Sequence, residues 1–211
     1  MRHLPILDIR IRGPRLELRL PDLEMLDELA SLAGAGIHPP ETMPFAVPWT
    51  DQHSPELERA TVRWHLLQLA TWSPLAWSFN TVVLYQGKVI GSQGINSTNF
   101  VVTRSFTTGS WLGRAYQGQG LGREMRAAIL EFGFSGLGAQ AALSGAFCDN
   151  AASLGVSRSL GYEDNGAAIV ERRGIPTEQI HLRLTRERWE RSHRPLVELE
   201  GVGLCREFFG I

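Results

Sequence analysis

The 211-residue sequence predicts one α/β domain, in which a mixed sheet is covered by helices on both faces. Three observations predict it. The early strand-like runs are interrupted by two helical segments, a helical segment follows each of two later apolar strands, and no linker, repeat or low-complexity stretch divides the chain. This length buries one good core and is short for two domains. The predicted domain therefore spans residues 1–211, with residues 191–211 as a C-terminal extension.

Two short strands and a helix are predicted near the N-terminus. Residues alternate over Leu7–Arg12 and Leu16–Leu20 in a way that suits an edge or first strand. Pro21-Asp22 is typical of a helix start, and Gly34-Ala35-Gly36 is expected to end that helix. The apolar face of the helix comprises Leu23, Leu26, Leu29 and Ala30.

A proline-rich loop and a second helix come next. Four prolines prevent a long regular element over residues 37–51. Ser54 is then a plausible N-cap, because Pro55 after it suits the first helical position. The sequence therefore predicts a helix that starts here and runs to about Leu69.

The centre of the chain predicts three strands. Trp77–Tyr85 and Val89–Asn96 are rich in strand-forming residues, and Gln86-Gly87-Lys88 between them indicates a hairpin turn. Val101–Leu112 is predicted as one longer strand. It leads directly into a glycine-rich segment.

The C-terminal half alternates helices and strands, judged from apolar spacing and from glycines that stop helices. The predicted elements are a helix over Arg123–Phe134, a strand over Ala141–Cys148, a helix from Asn150 to Gly161, strands over Tyr162–Arg172 and Gln179–Leu184, and a helix over Thr185–Ser192. The residues beyond Ser192 show no clear pattern.

Composition excludes several classes of protein. With 21 basic and 22 acidic residues the formal charge is −1, which gives no general attraction to nucleic acid or to an anionic membrane. Pro5 and Asp8 interrupt the N-terminus, so no signal peptide is predicted, and no apolar run is long enough to cross a bilayer. Cys148 and Cys205 form neither a disulfide framework nor a metal-ligand pattern. We therefore expect a cytoplasmic protein without a metal, nucleic-acid or membrane partner.

The strongest functional signal is the segment Gln117–Gly122, which joins a predicted strand to a predicted helix. Gly118, Gly120 and Gly122 lack side chains that would keep an anion away from the backbone amides. The helix that follows directs its free N–H groups and the positive end of its dipole at the same place. The segment therefore predicts a phosphate-binding loop.

Two familiar phosphate loops are excluded by spacing. No Lys follows the last glycine, as a Walker loop requires, and the glycines do not follow the Gly-x-Gly-x-x-Gly spacing of a dinucleotide fingerprint. The remaining pattern, Gln-x-x-Gly-x-Gly from Gln117 to Gly122, resembles the acyl-CoA loop of the GCN5-related N-acetyltransferases (GNAT). A structural turn is the alternative for this segment.

A second motif strengthens the resemblance. Asp149–Tyr162 is similar to the Asn-x-x-Ser helix of the same family, closed by Leu-Gly-aromatic. Other segments resemble the RimJ/RimL-like branch and some actinobacterial members of it. These are Pro14–Arg19, Met43-Pro44-Phe45, Pro48-Trp49, Trp64, Trp77 and Thr108–Leu112. The resemblance implies a mostly antiparallel sheet in which two central parallel strands splay apart.

The resemblance also implies how acyl-CoA is held. Its diphosphate is expected at Gln117, Gly118, Gln119, Gly120, Leu121, Gly122 and Arg123. The pantetheine arm is expected between the splayed strands, where Asn150 and Ser153 contact it and the backbone N–H of Leu112 stabilises the thioester oxyanion. Asn150 also suits a helix cap alone. Many relatives place Tyr as general acid where this chain has Ser157, so Ser157 and Ser153 are the competing candidates for the proton donor to the thiolate.

The amine acceptor is expected beside the proline-rich loop. His38, Glu41, Phe45, Trp49 and Trp111 are predicted to bind it, and His38, Glu41, Asp51 and His53 are the candidates for the base that accepts the proton of the amine. Buried core aromatics and exposed loop residues are the alternatives for these positions. The acceptor itself stays open between a protein N-terminus, a lysine and a small amine. The oligomeric state also stays open, although homodimers are common in the family.

Three functions follow from these motifs. The first is an enzyme that transfers an acetyl group from acetyl-CoA to a primary amine by direct attack in a ternary complex. A variant uses succinyl-CoA, with Arg104 or His38 as a partner for the free carboxylate. The second is an acyl-CoA-binding protein without catalysis. Nucleotide or nucleic-acid binding is the third, and the neutral charge argues against it.

Overall fold

The computed structural model describes residues 1–211 as one mixed sheet with helices on both faces, which confirms the predicted fold class. Its strands are β1 Arg10–Arg12, β2 Leu16–Arg19, β3 Ala76–Tyr85, β4 Lys88–Thr98, β5 Ser105–Leu112, β6 Ala141–Phe147, β7 Glu163–Arg172, β8 Ile175–Thr185 and β9 Glu198–Glu200. Its α-helices are α1 Leu23–Gly34, α2 Glu56–Ala70, α3 Phe100–Thr103, α4 Leu121–Glu131, α5 Ala151–Ser159 and α6 Arg186–Arg191.

The nine strands form one sheet in the order β7-β8-β6-β5-β4-β3-β2-β1-β9. Neighbouring strands run antiparallel throughout the sheet, except that β5 and β6 are parallel. The crossover between β5 and β6 contains α4, as a parallel connection requires. This parallel pair lies in the middle of the sheet.

The two faces of the sheet are packed unequally. On one face α4 buries Leu121, Met125 and Ile129 against a large apolar core, and Phe132 continues that core in the π-helical turn Phe132–Gly136. On the other face α1 places Leu29 in a smaller cluster against β3 and β4. Helices therefore cover both faces, and the larger core lies under α4.

One predicted strand was partly wrong. Phe100–Thr103 forms a helical turn, flanked by Asn99 and Arg104 with left-handed φ of 51° and 46°. Phe100 is fully buried, while Val101 and Val102 are exposed. The turn serves to insert the phenyl ring into the core, and the β-branched valines, which suggested a strand, lie on the surface. The strand itself starts only at Ser105.

The predicted cap of α2 was also wrong. The helix begins at Glu56, and no side chain caps its N-terminus. Instead, the Ser54 hydroxyl donates to the carboxylate of Glu58 at 2.6 Å. The Ser54 hydroxyl therefore bonds a side chain of the first turn, and it does not cap the backbone N–H groups of the helix.

The C-terminal residues belong to the sheet and to the core. β9 pairs antiparallel with β1, and the 3₁₀ segment Val202–Phe209 buries Cys205 and Phe209. The indole of Trp72 donates to the carbonyl of Phe208 at 2.8 Å. No helix has the length and apolar composition needed to span a bilayer, and no three metal-ligating side chains converge.

Candidate functional site

The site begins where β5 and β6 separate. Their parallel pairing starts at Ser105 opposite Ala141 and ends at Thr107 opposite Leu143. β5 then continues to Leu112 and β6 continues to Phe147 without further pairing between them. The edges that β5 and β6 turn toward each other are therefore unpaired beyond Thr107 and Leu143, as a splayed pair requires, and we call the space between them the gap.

Two backbone amides of β5 face this gap. The N–H of Gly113 donates to Ile90 on β4 at 3.0 Å, so the alternation of an antiparallel ladder turns the N–H of Leu112 and of Ser110 to the opposite edge. That edge is the one that β6 has left. Sequence reasoning singled out Leu112 and missed Ser110, which lies deeper in the gap and shows its orientation only once the ladder is known.

The glycine loop lies at the mouth of the gap. Gly118 and Gly120 have φ of +73° and +77°, a region that glycine enters without strain. Gly120 is the N-cap of α4 and no side chain caps this helix, so the N–H groups of its first turn stay available. The amide of Gln117 donates to the carbonyls of Leu112 and Ile37, both at 2.8 Å. These bonds fix the loop to the end of β5.

Two arginines flank the loop. Arg123 is exposed in the first turn of α4 and makes no ion pair. Arg15, which sequence reasoning missed, bonds Glu124 of the same turn at 2.7 Å, and its Nη2 would lie 3.7 Å from a Cβ placed on Gly120. The charge of Arg15 is therefore paired with a carboxylate, whereas that of Arg123 is not. The position of Arg15 beside the loop is evident only from its contact with Glu124, which is distant in sequence.

The second motif starts α5 beside the gap. The side-chain oxygen of Asn150 accepts from the N–H of Ser153 at 3.1 Å, which confirms the predicted cap. Ser153 is half-buried. Ser157, one turn further, is fully buried, and its hydroxyl has no hydrogen-bond partner. An unpaired hydroxyl in the interior costs free energy unless a partner arrives.

A polar cluster lies beneath the gap, on the face covered by α4. Arg126 of α4 is 4 % exposed and donates to Thr108 and Ser110 of β5, Ser144 of β6 and Gln93 of β4. Sequence reasoning assigned no role to any of these residues. Arg126 belongs to an amphipathic helix. Its inward orientation is evident only from its contacts with residues that are distant in sequence.

Aromatic side chains line the opposite side of the site. His38, Phe45, Trp49 and Trp111 follow one another with ring centroids 5.8, 5.3 and 5.9 Å apart. The row runs from the proline-rich loop to β5, so the structure brings four of the five residues predicted for the acceptor together. Glu41, the fifth, is exposed and makes no hydrogen bond.

The tip of the β7–β8 hairpin holds the proline-rich loop in place. Arg173 forms an ion pair with Asp51 and donates to the carbonyl of Pro40 at 3.1 Å. Arg172 binds Asp149 with two bonds of 2.8 Å. The bond from Arg173 lowers the pKa of Asp51, and the bond from Arg172 lowers that of Asp149. A paired carboxylate with a lowered pKa is a poor base, which weighs against Asp51.

Comparison with known proteins agrees with this geometry. A family model described as an acetyltransferase (GNAT) domain matches residues 15–163, more than half of the chain. Among solved structures, RimL, a ribosomal L7/L12 alpha-N-protein acetyltransferase in complex with coenzyme A, is 18% identical with a TM-score of 0.66, over 82% of this chain and 95% of that one.

Two further solved structures share the fold. Mycobacterium smegmatis RimJ in complex with CoA-disulfide is 15% identical with a TM-score of 0.69, over 95% of this chain and 94% of that one. The microcin C7 self-immunity acetyltransferase MccE, in complex with acetyl-CoA and AMP, is 18% identical with a TM-score of 0.64, over 82% and 93%. Identities this low show the fold alone, whereas the match of the family model shows descent. The chain belongs to the GNAT acetyltransferase family.

Proposed function

We propose that this protein transfers an acyl group from acyl-CoA to a primary amine, by direct attack of the amine in a ternary complex. One observation carries the proposal: the uncapped, glycine-rich start of α4 and the unpaired amides of β5 lie along a single gap. The first suits a diphosphate and the second suits an amide-rich arm that ends in a thioester. Coenzyme A has these parts in this order.

The diphosphate binds the first turn of α4 in this proposal. The N–H groups of Leu121, Gly122 and Arg123 are its donors, together with the loop amides of Gly118 and Gln119, because no side chain occupies that helix end. Arg123 and Arg15 add charge-assisted bonds at either side. Gln117 acts indirectly, since its amide already ties the loop to Leu112.

The thioester carbonyl binds an amide of β5. Leu112 is the donor predicted from the sequence, and Ser110 is the deeper donor on the same edge. Attack by the amine converts the carbonyl oxygen to an oxyanion, which this N–H stabilises; a donor of this kind contributes roughly 3 kcal/mol to the transition state. The C–S bond then breaks, and the departing thiolate accepts a hydrogen bond from the hydroxyl of Ser157, with Ser153 as the competitor for this role.

The amine enters along the aromatic row on the other face. Phe45, Trp49 and Trp111 form the wall, and His38 is the best-placed base of the four candidates. Its Nδ1 lies 2.9 Å from the carbonyl of Pro39 and therefore carries the proton, which leaves Nε2, 2.7 Å from the Thr50 hydroxyl, as the basic atom. The ammonium proton reaches Nε2 through that hydroxyl or through water.

A protein N-terminal amine is the acceptor we favour, because the fold is shared with RimL, whose name specifies an alpha-N-protein substrate. Because the fold is also shared with MccE, a self-immunity acetyltransferase, small amines stay among the candidate acceptors. Acetyl-CoA is the donor that the family supports, and succinyl-CoA is the second candidate. A cytoplasmic location and a homodimer remain predictions.

Two measurements on the purified protein test the proposal. Calorimetry should detect binding of coenzyme A, and release of free thiol should accompany acylation of at least one amine in a panel of peptide N-termini, lysine derivatives and small amines. Binding without thiol release for any amine, with either acetyl-CoA or succinyl-CoA, would support the non-catalytic alternative. Absence of binding would overturn both.

A further inference from the structure

Arg126 is a buried cation whose partners are all neutral. Its Nη1 donates to Thr108 Oγ1 at 3.0 Å and to Ser144 Oγ at 3.3 Å, and its Nη2 donates to Ser110 Oγ at 2.9 Å. Its Nε donates to the Gln93 side-chain oxygen at 3.3 Å. No carboxylate lies among these partners, although fifteen ion pairs occur elsewhere in the molecule.

A guanidinium in this position is costly. It stays protonated in proteins, and moving an ion from water into the interior is repaid only when an opposite charge or several hydrogen bonds compensate it. Burial lowers the pKa of Arg126 and raises that of the neighbouring Tyr162, which therefore stays a neutral phenol. The chain itself supplies no negative charge for Arg126.

The partners of Arg126 mark the floor of the gap. Thr108 follows the last paired residue of β5, and Ser144 follows the last paired residue of β6. Ser110 carries both the deeper free N–H and a hydroxyl bonded to Arg126. An acyl group whose carbonyl binds that N–H therefore has its far end against the hydroxyls and the guanidinium.

This floor fits an anion better than a methyl group. An acetyl methyl gains free energy from apolar neighbours, and here it would meet a charge and hydroxyls. A carboxylate would gain the charge of the guanidinium and the fifth of its N–H groups, since the other four have partners. The hydroxyls of Ser110 and Ser144 accept from Arg126 and each has a proton to donate, whereas the hydroxyl of Thr108 already donates to the carbonyl of Leu143 at 3.2 Å. One cation and two hydroxyls with protons to donate are the composition of an anion site.

We propose that Arg126, with the hydroxyls of Ser110 and Ser144, binds a carboxylate at the far end of the acyl group, while Thr108 holds the guanidinium in place. The preferred donor is then the mono-CoA thioester of a short dicarboxylic acid, such as succinyl-CoA, rather than acetyl-CoA. The inference rests on the proposed acyl transfer and adds the donor class and the residue that selects it.

The two residues named from the sequence for this role are placed less well. Arg104 precedes β5 at the closed end of the pair, where its carbonyl accepts from Gln140 and Ala141. His38 belongs to the aromatic row on the opposite face and is bonded to Thr50. Arg126 alone combines a positive charge with a position under the gap.

The test compares donors and variants. Acetyl-, propionyl-, malonyl-, succinyl- and glutaryl-CoA are assayed with one amine, and the binding of acetyl- and succinyl-CoA is measured by calorimetry without amine. In the wild type we expect kcat/KM for one of the three dicarboxylic donors to exceed that for acetyl-CoA by at least tenfold. In Arg126→Gln that preference should fall about 100-fold, since a buried charged contact is lost.

Two matched arginine variants act as controls. Arg123→Gln, at the diphosphate, should weaken all donors by the same factor, and Arg104→Gln should change neither activity nor preference. Arg126→Lys keeps the charge and should retain part of the preference, which separates recognition from a general loss of structure.

The outcomes distinguish this inference from the proposed function. Turnover of acetyl-CoA at least equal to that of every dicarboxylic donor, or an equal loss for all donors in Arg126→Gln, would overturn the role of Arg126 and leave acyl transfer standing. Binding of acetyl-CoA and succinyl-CoA with equal affinity in the wild type would count against it in the same way. Only failure of every donor, together with failure to bind coenzyme A, would remove the proposed function.

Discussion

The two ends of the gap are built in opposite ways. At the mouth, the start of α4 offers backbone N–H groups from a run of neighbouring residues, with Gly118 and Gly120 in conformations that favour glycine. At the floor, three strands each contribute one or two side chains around Arg126 of α4. The mouth therefore suits the part that every acyl-CoA shares, while the floor suits the part that differs between donors.

In the proposed function, this difference would let the acyl group change while the site for coenzyme A stays the same. A backbone site depends on helix geometry and tolerates few changes, because any side chain added there takes the place of the anion. A side-chain site changes with a single substitution. We therefore expect substitutions at the mouth to abolish binding, and substitutions at the floor to change preference or rate while coenzyme A still binds.

The largest effect is expected for Gly120→Glu at the mouth. The new side chain adds strain at φ +77° and places a carboxylate beside the first-turn amides, where it competes with the diphosphate and repels it. Affinity for coenzyme A should fall at least about 100-fold, a change of roughly 3 kcal/mol. Isothermal calorimetry with free coenzyme A measures this directly.

A matched control separates strain from charge at the site. Gly138 has the same φ of +77° and no atom within 4 Å of a Cβ placed on it, and it lies before β6 at the far end of the sheet. Gly138→Glu should lose similar stability and keep its affinity for coenzyme A. If both variants bind equally well, the diphosphate does not bind at Gly120.

The mouth was predictable from sequence and the floor was not, for a physical reason. The loop Gln117–Gly122 and the cap Asn150 are local features, in which neighbouring residues determine the backbone conformation. Arg126 becomes recognisable only through Gln93 and Ser144, which lie 33 and 18 residues away. Contacts between distant segments leave no pattern in a single sequence.

The same limit applies to the acceptor side. The proline-rich loop and its aromatic residues were identified from sequence, and the structure places them in one row. The ion pair between Arg173 and Asp51 could not be predicted from the sequence, because the two residues are 122 positions apart. This ion pair argues against Asp51 as the base, whereas the sequence alone gave no reason to set Asp51 aside.

The next effect tests which amide at the floor binds the thioester oxygen. Proline has no N–H, and neither Ser110 nor Leu112 donates to β4, so proline at either position removes no bond of that ladder. Ser110→Pro also removes the hydroxyl bonded to Arg126, so it is compared with Ser110→Ala, which removes only that hydroxyl. If the deeper amide is the donor, kcat should be about 100-fold lower in Ser110→Pro than in Ser110→Ala, since one oxyanion donor is lost. Leu112→Pro should then affect mainly affinity for the cofactor.

Steady-state kinetics of the two proline variants, with calorimetry of coenzyme A, decides between them. The reverse result, in which Leu112→Pro loses kcat and Ser110→Pro does not, would place the oxyanion at Leu112 as the sequence alone suggested. Thermal unfolding of both variants checks that each strand remains folded.

A smaller effect is expected for Ser157→Ala. The buried hydroxyl has no partner in the chain, so its removal should leave the free energy of unfolding unchanged or raise it by about 1 kcal/mol. If this hydroxyl donates to the departing sulfur, kcat should fall about tenfold, in line with one hydrogen bond. Ser153→Ala is the parallel variant, and a loss of kcat there alone would transfer the role to Ser153.

His65 provides the smallest effect on activity, which is none, and a contrast with Arg126. It is a buried titratable group in α2, 7 % exposed, that lies away from the gap, and burial lowers its pKa to about 4. The native state therefore resists protonation, whereas the unfolded chain takes up a proton below about pH 6.5. The contribution of this group to stability is complete above that pH and is lost as the pH falls from 6.5 to 4.

His65→Leu removes this titration and touches no part of the proposed site. Urea unfolding between pH 7 and pH 4.5 should show the wild type losing up to roughly 3 kcal/mol more than the variant, while the two have the same rate of acyl transfer at pH 7. If the variant loses activity at pH 7, His65 would have to be counted with the site. Burial alone does not identify a functional charge. The imidazole of His65 can lose its proton and become neutral, whereas the guanidinium of Arg126 keeps its proton. A substrate anion is therefore expected at Arg126, where the buried charge persists, and not at His65.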